Sequence, residues 1–264
     1  MTHRWMTGLA AAVGLALAPA AFGQATNPPA SGPWTDARAL QAQELSKLRA
    51  GGIRAIAADT AAIAAALAAA PRTNGVEVGG GVTVLADGAP QSLFILAEAA
   101  GKDSPWAGRS VSVVADPYPF LALLLGSYYD EVGKPADALR VLDAGLGLPS
   151  ETGPVPGQIK PSLMTERGAA LVALHDWPRA LADYEAGLAL PALNDLARAR
   201  MLRGRGMALT ELGRLDDAES AYNDSLKLDP SSATAQHELA YIARLRAGAP
   251  KSATALKSVQ PSAN

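Results

Sequence analysis

Outside the first few residues, the chain of 264 residues has two histidines, His175 and His237, and it has no cysteine anywhere. His237 is followed by Glu238, but no second histidine lies three or four positions away, so the imidazole pair that grips zinc from one helix face is missing. His175 falls in a short polar turn. A metal site would have to be built from carboxylates alone, and neither a metal nor a cofactor is expected. There is no Gly-x-Ser-x-Gly elbow, and neither histidine has a serine partner, so nucleophilic catalysis is not expected. Gly101-Lys102 suggests a phosphate loop. However, Asp103 stands where a hydroxyl residue is needed, and Leu96 where the first glycine is needed. The three glycines at 79–81 lack the helix and acidic ribose partner of a dinucleotide site and read as a turn between strands. Trp177 is expected to plug a core; Trp106, beside Pro105 in a Pro/Gly loop, is a candidate contact residue. No catalytic residue emerges. What remains is recognition by charge, carried first by Arg200 and Arg203, one helical turn apart.

The elements that must hold those arginines are clearest at 199–232. Leu202, Gly206 and Leu209 share one face of a helix that Gly213 breaks. Leu215, Ala218, Tyr222, Leu226 and Leu228 stripe a second helix that Pro230 stops. One hairpin cannot bury such a stripe, so copies are needed on either side. They are present. Gly206, Ala218 and Leu226 repeat their spacing of twelve and eight in Gly168, Ala180 and Leu188, and again in Gly126, Ala138 and Leu146. Each unit places a large residue four beyond the alanine (Leu142, Tyr184, Tyr222) and a proline after the second helix (Pro149, Pro191, Pro230).

This pattern resembles the tetratricopeptide repeat (TPR), most closely in Leu125-Gly126 with Tyr129 and in the run from Gly213 to Pro230. The chain departs from that pattern at Arg167 and Arg205, which replace leucine, and at Leu171 and Leu209, which replace tyrosine. Its units recur at 42 and 38 residues, with loops inserted at 150–161 and around 192–196. The resemblance implies a mainly α fold: a stack of three TPR helical hairpins over 118–247, closed by a capping helix at 233–247.

Upstream the pattern differs. A short basic start, an apolar run at 9–18 and small residues after it read as a signal peptide over 1–25, cleaved after Gly23 or Ala25. The run is shorter than the roughly 20 residues that span a bilayer. No cysteine follows it, so a lipid anchor is not expected, and the chain is expected to be exported to the periplasm. Residues 26–33 form a flexible lead. A helix to about Arg49 and an alanine-rich helix at 53–70 make a hairpin, within 26–72. From 73 to 117 valines alternate as in strands, around a short helix at 91–100, giving a small strand–helix–strand element. The tail 248–264 reads as disordered. Removing the leader leaves 22 basic and 25 acidic residues, so neither a nucleic acid nor an anionic membrane surface is expected as a partner.

Stacked hairpins form a groove lined by their first helices. On that face the sequence places Leu123, Ser127 and Asp130 in the first unit, and Ser162, Thr165 and Ala169 in the second. The third unit adds Arg200, Arg203 and Met207, and the cap adds His237 and Tyr241. The expected function is a non-catalytic adaptor that takes a protein or peptide here, with an acidic segment on the two arginines. The alternatives are an oligomerising structural subunit and, more weakly, an envelope enzyme using a carboxylate pair. In the repeat that the chain resembles, the places held here by Arg167 and Arg205 point into the seams between helices. An unpaired guanidinium there would cost several kcal/mol, so both are expected to pair with acids such as Asp137, Asp183 or Asp195.

Overall fold

The computed structural model describes residues 32–73, 75–153, 155–191 and 193–250. The leader at 1–25, most of the lead after it and most of the tail lie outside the described residues. The described chain is mostly helical with one small sheet, and it divides into two compact units. One holds residues 32–128 and 141–163, the other 129–140 and 164–250.

The first, sheet-bearing unit opens with α1 (Thr35–Gly51), stopped by Gly52 at φ 70°, whose N–H donates to the Leu48 carbonyl at 2.9 Å. A continuous helix at 53–70 is expected from sequence. Instead Ile53–Asp59 winds as a 3-10 helix before α2 (Thr60–Ala68). The tighter winding starts where Ala55 donates back to Gly52, three residues away. Trp34, Leu48, Ile56 and Ile63 are buried, and Lys47 ties Glu44 of α1 to Asp59.

Strands β1 (Gly75–Val78) and β2 (Gly81–Ala86) form an antiparallel hairpin in register Val78↔Gly81. Gly79 and Gly80 turn it with φ of 60° and 82°, a conformation that costs other residues dearly. Helix α3 (Ala89–Ala99) then crosses over to β3 (Val111–Ala115), which pairs parallel to β2 with Val82↔Val111. Thr83 and Ser112 share a buried hydroxyl contact of 2.9 Å between these strands. Two residues later α4 (Tyr118–Glu131) begins, and all its residues from Tyr118 to Ser127 are buried. It packs on α5 (Pro135–Leu146) where both are small: a β-carbon on Gly126 would come within 2.6 Å of Leu142, and one on Gly145 within 2.6 Å of Ala122.

The inserted loop at 150–161 is not featureless. It carries a short turn of helix, α6 (Pro149–Thr152), and belongs to the sheet-bearing unit. The compact units therefore do not part at 117/118, where sequence places the edge of the repeats. Helix α4 follows directly on β3, and side chains at the end of β2 hold the loop, so α4 up to Tyr128 stays with the sheet.

The second, helical unit contains α7 (Lys160–Ala173, from Met164 onward), α8 (Trp177–Leu188), α9 (Asp195–Glu211), α10 (Leu215–Leu228) and the cap α11 (Ala233–Arg246). Side chains cap three of these: Asp176 accepts from Arg179 N–H, Asn194 from Ala197 and Ser232 from Ala235. His175 turns the chain between α7 and α8 at φ 62°, and Gly213 does so between α9 and α10 at φ 77°. Trp177 is half-buried with its ring edge-on to His175 at 5.2 Å, so it lies at the rim of the packing and not in the core.

The buried ring of Tyr184 on α8 lies against two glycines. A β-carbon on Gly168 of α7 would stand 2.6 Å from it, and one on Gly204 of α9 would overlap it outright. Tyr222 of α10 uses Gly206 of α9 in the same way, at 2.8 Å. Gly204→Ala should therefore destabilise the protein by about 1–3 kcal/mol through overpacking. Gly153→Ala, with open space around the new methyl, should stay within about 0.5 kcal/mol. Thermal unfolding of the two variants checks this; equal melting temperatures would contradict the wedge.

Candidate functional site

Helices α7 and α9 are the first members of successive hairpins in the helical unit and α11 is its cap; Thr165, Arg200, Arg203, Met207, His237 and Tyr241 fall on them, whereas Ser127 and Asp130 lie on α4. Four arginines project from α9, and each is fastened. Arg200 donates to Glu166 of α7 at 2.8 Å, and Arg203 to Asp229, just beyond α10, at 3.1 Å. Arg205 reaches Glu185 of α8 at 3.3 Å, and Arg198 the carbonyl of Leu188 at 3.4 Å.

The two seam arginines are paired and partly buried. Arg167 grips Asp183 with two bonds, 2.7 Å from Nε and 2.6 Å from Nη2, and its side chain is 23% exposed. Sequence named Asp183 among the acids for these positions but did not name Glu185, which holds Arg205. Such charge-assisted bonds contribute roughly 1.5–3 kcal/mol where they are sheltered.

The remaining groove candidates divide by exposure. In the helical unit Thr165 and Tyr241 are buried, leaving little of either for a partner. The Arg244 guanidinium sits 5.6 Å above the Tyr241 ring. Met207 is half-buried, and His237 is 73% exposed, its Nδ1 3.6 Å from Glu238. In the sheet-bearing unit Ser127 is buried, and its hydroxyl has no hydrogen-bond partner among the described residues. Leu123 is buried beside it in sequence, so the start of the expected groove in α4 is core instead.

Charge gives this face its character. Burial first, then the nearby Glu166 and Glu131, raises the carboxyl of Asp130 to about 7. No hydrogen bond or ion pair to that carboxylate occurs among the described residues. Burial also lowers Arg203, with the like charge of Arg200 adding to the effect. The phenol of Tyr184, buried among Glu166, Arg200 and Asp130, is pushed well up and stays neutral. The face can hydrogen-bond and match charge. Among the described residues it brings together no nucleophile, base and orienting group. Among the described residues no group of three or more His, Asp or Glu side chains could hold a metal ion, and no helix is long and apolar enough to cross a membrane.

Sequence reasoning missed a second polar cluster, in the sheet-bearing unit. Asp87 and Asp116 each stand directly after one of the two parallel strands, and Glu151 of α6 joins them. Burial raises Asp87 and Asp116 to about 6, and it raises Glu151, further pressed by Asp87, to about 9. The cleft beside Asp116 is lined by Pro71, Leu85, Tyr118 and Leu148. Glu151 is fully enclosed, which argues against a carboxylate pair acting on substrate. The signal available was an aspartate at the carboxyl end of two successive valine-rich strands. Glu151 gave none, because it lies in a segment that reads as a loop.

A family model described as tetratricopeptide repeat matches residues 199–242. No curated protein matches the chain. Among solved structures, the first TPR domain of the human RPAP3 protein is 25% identical, covering 49% of this chain and 93% of that one with a TM-score of 0.42. The first TPR of Spaghetti (RPAP3) bound to the HSP90 peptide SRMEEVD is 24% identical, with the same two coverages, 49% and 93%, and a TM-score of 0.42.

Because Asp130 holds its proton more tightly in the folded than in the unfolded chain, its contribution to stability is complete below about pH 4 and is lost as pH rises towards 7. Asp130→Asn should therefore match wild type at about pH 4 and be the more stable protein at about pH 8. Chemical denaturation at the two pH values checks the sign, and an equal difference at both would contradict it.

Proposed function

We propose that the chain, whose residues 199–242 match a tetratricopeptide-repeat model, is a non-catalytic adaptor which receives a protein or peptide on the face formed by α7, α9 and α11. The observation that supports this reading most is the row of preset charges, Glu166 with Arg200 and Asp229 with Arg203. A guanidinium has five N–H donors, and each of these arginines gives one to its internal acid. The donors left over are oriented in advance, which reduces the ordering cost of binding. An acidic segment of the partner completes their set, and Met207 and His237 flank it.

The leader-like composition of residues 1–25 supports export, and the adaptor then works in the periplasm. Lacking cysteine, it is stable there through packing and ion pairs alone.

Alanine at Arg200 would also strand Glu166, so crosslinking is the cleaner test. A photo-crosslinking residue at Met207 or His237, in living cells, should capture a partner, whereas one at Glu219 on α10 should capture none. Adducts from Glu219 alone would move the site to the opposite face. Mass spectrometry of the envelope fraction should show a new N-terminus near Gln24 or Thr26; intact Met1 in the cytoplasm would overturn export.

A further inference from the structure

We propose that Asp87 and Glu151 share a proton which latches residues 155–159 onto the carboxyl end of β2, and that loss of this proton releases the segment.

The latch is built from both sides. The backbone N–H of Ile159 donates to Asp87 Oδ2 at 2.6 Å, and that of Gln158 donates to the Asp87 carbonyl at 3.0 Å. Gln91, on the first turn of α3, accepts from Asp87 N–H at 2.7 Å. Its amide nitrogen donates to the carbonyls of Ser150 and of Val155, the latter at 3.0 Å. Gly157 lies so close over the carboxyls that a β-carbon there would overlap Glu151 and stand 2.7 Å from Asp87 Oδ2. Two glycines thus admit the segment, because Gly88 meets Gln158 in the same manner.

Both oxygens of Glu151 are buried, and among the described residues no N–H or hydroxyl donor reaches them. Two ionised carboxylates in this contact would repel each other at low dielectric with nothing between them. One proton resolves the conflict. Glu151, wholly enclosed, is the harder to ionise, so it keeps the proton and donates to Asp87, which already accepts from Ile159. This is the arrangement in which like charges split into one acid and one base.

Among the described residues the other charged or titratable groups facing the pair are Asp116, Tyr118 and Lys160. Asp116, at the end of β3, adds negative charge and favours the shared proton, and Tyr118 at the start of α4 adjoins Asp116. Lys160 at the start of α7 opposes it, since its charge favours ionised Glu151, while its ammonium donates to the Glu151 carbonyl. The balance leaves Glu151 protonated to about pH 9. As pH rises through that value the bond becomes a repulsion, and residues 155–159 lift from the strand end.

Limited proteolysis of the full protein with an alkaline-stable protease, cut sites mapped by mass spectrometry, tests this. Relative to an unstructured peptide of the same sequence, cleavage within 155–159 should accelerate about tenfold between about pH 7 and pH 10. Glu151→Gln, which keeps a neutral donor towards Asp87, should stay slow at both, and Gly157→Ala should be cut fast at both. An unchanged wild-type ratio, or a Glu151→Gln protein that accelerates like wild type, overturns the latch. Should Glu151→Gln fail to fold, the carboxyl carbon of Glu151 in wild type, followed by NMR, must titrate with the midpoint of the cleavage curve; a different midpoint overturns it equally.

Discussion

The helical unit depends on one ring. Tyr184 leaves α8 and lies against the bare backbone of α7 at Gly168 and of α9 at Gly204. Three helices from two hairpins are thereby brought to the closest spacing that a phenol allows. Tyr222 then repeats half of this arrangement one hairpin later, against Gly206. Close-packed interiors have no slack to absorb a methyl at such a point. The direction of α9 is set there, and the direction of α9 decides where its arginines can reach.

Those arginines connect packing to recognition. A helix bearing four of them on a protein surface would carry a broad positive field. Here Glu166, Asp229 and Glu185 answer three of them within the unit, so the face alternates in sign over short distances. Alternation favours orientation over long-range attraction. In the proposed adaptor such a face would select a partner by where its charges lie more than by its net charge.

The hairpins were legible because their signal is steric and local. Glycine, alanine and a large residue recur at fixed spacing, and each sits in the packing contact that the spacing implies. The valine alternation gave the strands for the same reason, and the triple glycine gave their turn. Exposure was harder to read. Ser127, Thr165 and Tyr241 occupy helix positions that a repeat in isolation would leave open. All three are buried, and no periodicity in their own helices announces it. Glu151 is the extreme case, a fully buried acid in a stretch whose Pro and Gly content reads as solvent-exposed loop. Local sequence shows which residues can turn a chain; it does not show which strand end that turn will be held against.

The holding of the loop has a temporal side. Asp87 meets Ile159 across 72 residues of chain, and Tyr118 meets Pro33 across 85. In the helical unit Arg167 and Asp183 are 16 apart, and Arg205 and Glu185 are 20 apart. Closing long loops must precede the contacts that reward it, so topology of the first kind forms slowly and topology of the second kind quickly. Residues 32–128 leave the ribosome before residues 141–163, yet their unit cannot close until residue 159 has followed. For that interval the strands of the small sheet can pair with one another, but Asp87 at the end of β2 lacks the bond that Ile159 supplies.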